Sequence, residues 1–137
     1  MTNRIEIIIS LSFITVIIFV VYKSTNDNVV RLKQFKKVAI ADVTGVDIVL
    51  KGDGLFVSYE FIVNNKVVKN KKRVFVESKY LKKVSNILLH KHMPVIYDTI
   101  DINNNQLLIN KDDYSMFGQI MPDSIKRIVF AIDSIKF

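Results

Sequence analysis

An uninterrupted apolar run opens the chain. Between Ile5 and Tyr22 the only charge is Glu6, and the only other polar side chains before Tyr22 are Ser10, Ser12 and Thr15. A helix over those residues rises about 27 Å, just short of the roughly 30 Å hydrocarbon core of a bilayer. Apolar side chains cover every face and not a single stripe, which argues against a helix buried in a soluble core. Glu6 lies within reach of one interface, and Tyr22 with Lys23 forms an anchor at the other. A cleaved signal would need small residues before the cut, and Val20-Val21-Tyr22-Lys23-Ser24 offers no such pattern. The pattern predicts an uncleaved single-pass transmembrane anchor over residues 1–23 that meets the lipid bilayer through residues 5–22.

Residues 24–37 read as a basic linker, although Val29, Val30, Leu32 and Phe35 could extend the anchor helix into water. From Val38 the period changes, and 38–137 reads as one small β-rich domain. Val57, Tyr59, Phe61 and Val63 alternate with Ser58, Glu60 and Ile62, the period of two expected of a half-buried strand. Gly52-Asp53-Gly54 and Asn64-Asn65 are turn signals, so 38–78 predicts three strands joined by tight turns. Leu81, Val84 and Leu88 share a helical face, Met93 to Asp101 alternates again with Pro94 near its start, and Gln106 to Ile109 suits a short strand. At the end, Ile125, Ile128, Val129, Ile132 and Ile135 form a helical stripe after Asp123 or Ser124 as a cap, with a strand as the alternative. The expectation is a mainly β (α+β) fold: a transmembrane helix, then a small antiparallel SH3-like or OB-like barrel with a C-terminal helix.

Several motifs, in order, carry a resemblance. Tyr59-Glu60-Phe61, Val63-Asn64-Asn65-Lys66, Pro94-Val95-Ile96-Tyr97, Asn103 to Asn105, Leu107-Leu108-Ile109, Tyr114 to Gly118 and Pro122-Asp123-Ser124 resemble those of a family of uncharacterised small bacterial proteins. The resemblance covers roughly residues 38–130 and implies an N-terminal membrane segment joined to a small β-barrel, hence the bacterial inner membrane. It implies no activity. That family tends to place Gly in the hairpin and before the Pro-Val-Ile-Tyr strand, where this chain has Asn65 and His90.

Composition narrows the chemistry. With 137 residues and no Cys, disulfides, thiolate metal sites and cysteine nucleophiles are excluded together. Of the net charge of +7, the segment 66–93 alone carries +8, from nine basic residues and one acidic. Lys69, Lys71, Lys72, Arg73, Lys79, Lys82 and Lys83 are therefore expected to form a basic face, available to anionic lipid or an acidic protein partner. A solvated edge strand explains the same lysines, and nucleic acid ranks last because only Phe75 and Tyr80 could stack with bases. The side of the membrane is contested: Arg4 precedes the helix, whereas Lys23, Arg31, Lys33, Lys36 and Lys37 follow it, which favours a cytoplasmic domain. The very short start before the apolar run is, however, the plan of an export-type anchor.

The remaining candidates are weak. His90-Lys91-His92 has metal-ligand spacing, with Asp98 or Asp101 as a completing ligand, but two ligands make no site. Asp98/Asp101 and Asp112/Asp113 could do acid–base work only if one member were held in an apolar pocket; as sequence they read better as turn and cap residues, Asp112 as an N-cap. Gly52-x-Gly54 lacks the helix, Lys and Ser/Thr of a phosphate loop. No cofactor, metal or catalytic residue is expected. The sequence reading is a membrane-anchored, non-enzymatic binding or structural module, with two alternatives: a peripheral anionic-lipid contact through 66–83, or an enzyme near Asp98, Asp101 or His90.

Overall fold

The computed structural model describes residues 2–49 and 54–135, with side chains from Ser12 onward. Helix α1 spans Thr2–Phe35 and passes without a break into strand β1, Lys36–Ile48. Strands β2 (Leu55–Val63) and β3 (Lys66–Val74) follow, then a single 3-10 turn at Ser78–Tyr80 and helix α2 (Leu81–Leu88). Strands β4 (His92–Asp98) and β5 (Asn105–Leu107) lead to helices α3 (Lys111–Met116) and α4 (Asp123–Asp133). The fold is α+β. All strand pairs are antiparallel, in the order β3-β2-β1-β4-β5, and the sheet curls into a half-barrel.

Residues 24–37, expected as a linker, are helix through Phe35 and strand from Lys36. The option written into the sequence, an apolar stripe continuing the helix, is the one realised: Leu32 is buried and Val29 packs against the core. Upstream, Ser12 to Asn28 is exposed on all sides, with the apolar side chains from Phe13 to Tyr22 at 47–72%. Among the described residues one helix, Ser12–Phe35, is long and apolar enough to cross a membrane.

The core lies inside the curl. Leu55, Val57, Tyr59, Phe61 and Val63 of β2 all point inward, as their alternation predicts, and meet Ala41 and Val43, Met93 and Val95, and Leu107 to Ile109. Helices α2 and α4 close one side through Leu81, Val84 and Leu88 and through Ile125, Val129 and Ile132. The β2–β3 hairpin turns at Asn64 and Asn65, with φ of 50° and 59°. Two successive positive φ values define the type I′ turn whose twist suits a hairpin, and Asn tolerates that region better than most residues. The Gly52-Asp53 part of the other expected turn lies outside the described residues. Near the C-terminus the helix alternative holds and the strand alternative does not. Two expected caps differ from the structure. Asn110, not Asp112, caps α3 in a reciprocal box with Asp113, because a cap must sit just before the first helical residue; Pro122 takes that position for α4 without a side-chain bond.

Candidate functional site

Two polar constellations define what this domain can do. The first fixes α1 to the half-barrel. Asp98, at the end of β4, is completely buried, and its Oδ1 accepts the backbone N–H of Ile100 at 2.7 Å and of Asp101 at 3.3 Å. Arg31 of α1 brings Nη2 to 3.1 Å from Oδ2. Burial of Asp98 works to raise its pKa, but the Ile100 and Asp101 N–H groups and then the Arg31 charge outweigh it and hold the carboxyl below the ordinary carboxylate value. Around this pair, Asn104 Nδ2 donates to the Asn28 carbonyl at 3.0 Å and the Thr99 N–H donates to the Phe35 carbonyl at 3.1 Å. Three polar contacts spread over two helical turns, with Leu32 buried among them, dock the end of α1 on the sheet.

The second constellation closes the gap between the sheet edges β3 and β5. Along β3, Val68, Asn70, Lys72 and Val74 share the inward face. Asn105 Oδ1, on β5, accepts the Tyr59 hydroxyl at 2.7 Å and Asn70 Nδ2 at 3.0 Å. Lys72 Nζ donates to the Leu107 carbonyl at 2.9 Å and to Asp113 Oδ2 at 2.6 Å, and the same oxygen accepts the N–H groups of Ile109 and Asn110. Burial pushes the Tyr59 hydroxyl pKa far up, so it stays a neutral donor at any physiological pH. Side chains thus stitch together two edges that have no backbone pairing. At Lys71 the N–H turns to its neighbour's Asn70 Oδ1 at 2.8 Å, which occupies an edge donor that an added strand would need.

The expected basic face is divided by this arrangement. Lys69, Lys71 and Arg73 are exposed on the outer face of β3, and Lys79, Lys82 and Lys83 are exposed around α2. Lys72 points the other way, into the seam, and does not belong with them: a period of two sends it inward with Val68 and Val74. Lys69 pairs with Glu60 at 3.5 Å and Lys79 with Glu77 at 2.7 Å, while Arg73 lies 4.7 Å over the Phe75 ring.

Of the weak candidates around Asp98, only Asp101 is brought beside it, through the backbone bond described above, and the histidines are not. Register places Asp98 opposite Lys36 and His92 opposite Asp42, at the two ends of β4 and about 20 Å apart. His90 occupies a left-handed turn at φ 60° and gives its N–H to the Val43 carbonyl; His92 is paired with Asp42 on the surface. Asp101 accepts the Asn103 N–H in a turn of its own. Among the described residues no group of three or more His, Asp or Glu is placed to hold a metal ion. The joint was missed in sequence, since nothing in Arg31 or Asp98 taken singly announces a pair 67 positions apart. The seam had a signal, Lys72 in phase with two core valines. Comparison with known proteins finds no matching family model, no matching curated protein and no matching solved structure.

Proposed function

We propose that this chain is a single-pass membrane protein whose half-barrel, of the SH3-like or OB-like kind, is a non-enzymatic binding or structural module carried in a fixed orientation by its anchor. One observation carries the reading: a single helix runs from an apolar stretch exposed on every side into turns docked on the domain by Arg31–Asp98 and Leu32. Water around Phe13 to Tyr22 would be costly at roughly 25 cal/mol per Å² of apolar surface, whereas lipid removes that cost. A signal cleaved near Tyr22 would leave the docking turns in place without the helix that leads into them. The resemblance to small bacterial membrane proteins is consistent with the inner membrane as its location. Alkaline extraction of membranes from cells making the full chain tests this. The protein is expected in the pellet with residues 1–23 intact; release into the supernatant, or an N-terminus beyond Tyr22, overturns it.

A second reading, contact with anionic lipid through the 66–83 segment, is favoured by the exposure of Lys71, Arg73, Lys82 and Lys83. Replacing these four with Gln should weaken retention on anionic vesicles relative to neutral ones. Equal, salt-insensitive binding before and after replacement removes this reading.

A further inference from the structure

The sheet has a near end and a far end relative to the anchor. Helix α1 reaches the domain at Asn28, six residues and so about 9 Å beyond Tyr22, and it meets the 99–104 loop there before anything else. From Ser12 to Asn28 no residue of the helix is covered, so the domain does not lie back along the anchor. The headgroup layer adds roughly 5–7 Å to each side of the hydrocarbon core, so with Tyr22 at the hydrocarbon edge the 99–104 loop meets the helix a few Å beyond the headgroups, within reach of long side chains.

Register tells which other segments share that end. Lys36 pairs with Asp98, and the β1–β2 pairing of Ala41 with Phe61 carries the Asn64-Asn65 hairpin alongside the start of β1. Lys36 Nζ donates to the Phe117 carbonyl, which brings the loop after α3 to the same end. These segments carry exposed apolar side chains: Val38 at 51%, Ile62 at 68%, Val67 at 57%, Ile100 at 69% and Ile120 at 93%. Exposed Lys33, Lys37 and Lys66 are interleaved with them. Away from this end, Ile40 at 59%, Ile48 at 50%, Phe56 at 39%, Phe75 and Phe130 are also exposed, and of these Phe75 and Phe130 have a cation over the ring, Arg73 at 4.7 Å and Lys111 at 4.3 Å.

We infer that the near end of the half-barrel, formed by the 99–104 loop, the Asn64-Asn65 hairpin, the start of β1 and the loop after α3, rests on the surface of the bilayer that α1 enters, with the apolar tips in the headgroup layer and the lysines on anionic lipid. The inference depends on the membrane reading above and extends it. Three observations choose lipid as the occupant: continuity with the proposed anchor, a height within a few Å of the headgroup layer, and exposed cations interleaved with the apolar side chains. Apolar tips ringed by long-stemmed cations suit an interface where one end of each side chain is wet and the other is not. This surface shares only Lys66 and Val67 with the 66–83 segment, and Arg73, Lys82 and Lys83 are not among its cations.

The chain has no Cys, so single labels can be placed at will. The full chain is reconstituted in vesicles of phosphatidylcholine with phosphatidylglycerol, with a fluorophore on Ile62→Cys, Ile100→Cys, Phe19→Cys as the anchor control, or Asp47→Cys as the far-end control. Nitroxide-bearing lipids then serve as quenchers. Quenching at 62 and 100 is expected to exceed that at 47 several-fold, and to fall at least about two-fold without phosphatidylglycerol. Quenching at 62 and 100 no greater than at 47, with Phe19→Cys still quenched, overturns this inference and leaves the anchor standing. Absence of quenching at 19 overturns both. Shielding of 62 and 100 that comes not from lipid but rises with protein density assigns the surface to a second copy and overturns the bilayer contact.

Discussion

Lys72 and Lys71 are neighbours with opposite fates, and the difference lies in the phase of the strand. Lys72 donates into a seam where Asp113 already gathers two backbone N–H groups, so its removal leaves the Leu107 carbonyl and part of a buried carboxylate without a donor. Lys72→Gln should destabilise the full chain in mild detergent by about 1–3 kcal/mol, read by urea unfolding. Lys71→Gln should stay within about 0.5 kcal/mol. Equal effects would mean that Lys72 is only another surface lysine. Asp98 adds a pH dependence. Its carboxyl is held below the ordinary value, so its stabilisation is complete above about pH 4 and is lost as pH falls through the lowered folded value. The stability gap between wild type and Asp98→Asn should therefore be flat at neutral pH and narrow only in acid. A gap that changes between pH 6 and 8 would assign it to another group. The inward phase of Lys72 was legible in sequence, but charge counting hid it by treating every cation between 66 and 83 alike. Asp98 reads in sequence as a turn carboxylate and takes two turn N–H groups, whereas its pairing with Arg31 needs the position of α1.

At the scale of elements, local signals were strong wherever a face was buried against a uniform core. The alternation of β2 is realised residue by residue, the α2 stripe of Leu81, Val84 and Leu88 is buried, and α4 buries Ile125, Val129 and Ile132. The two misplaced caps share a cause: cap-type residues stand both just before and just inside each helix, Asn110 and Asp112 at α3, Pro122 and Asp123 at α4. The turns give a prediction of their own. Asn65 and His90 sit at φ of 59° and 60°, a region that glycine enters without the steric cost a Cβ brings. His90→Gly and Asn65→Gly should each stabilise the chain, or cost nothing, and Asn65→Val should destabilise it by about 1–2 kcal/mol in the same urea assay. A neutral Asn65→Val would mean that the hairpin tolerates a different turn.

For the whole molecule, the decisive feature is that the end of the apolar helix is docked on the half-barrel. The apolar run and its length were plain in the sequence, but the joint was not. Residues 24–37 have a linker's composition, and only Val29 and Leu32 on one side of the helix hint at docking. In the proposed membrane reading, a flexible tether would let the domain search a volume above the bilayer, whereas a fixed joint would commit one end of the sheet to the lipid. Spin labels on Val20→Cys and Asp47→Cys of the full chain in lipid nanodiscs test this directly through their distance distribution. The account predicts a single narrow distance, broadened when Arg31→Ala and Asp98→Ala are combined. A broad distribution in the otherwise unaltered chain, insensitive to those two substitutions, would contradict it.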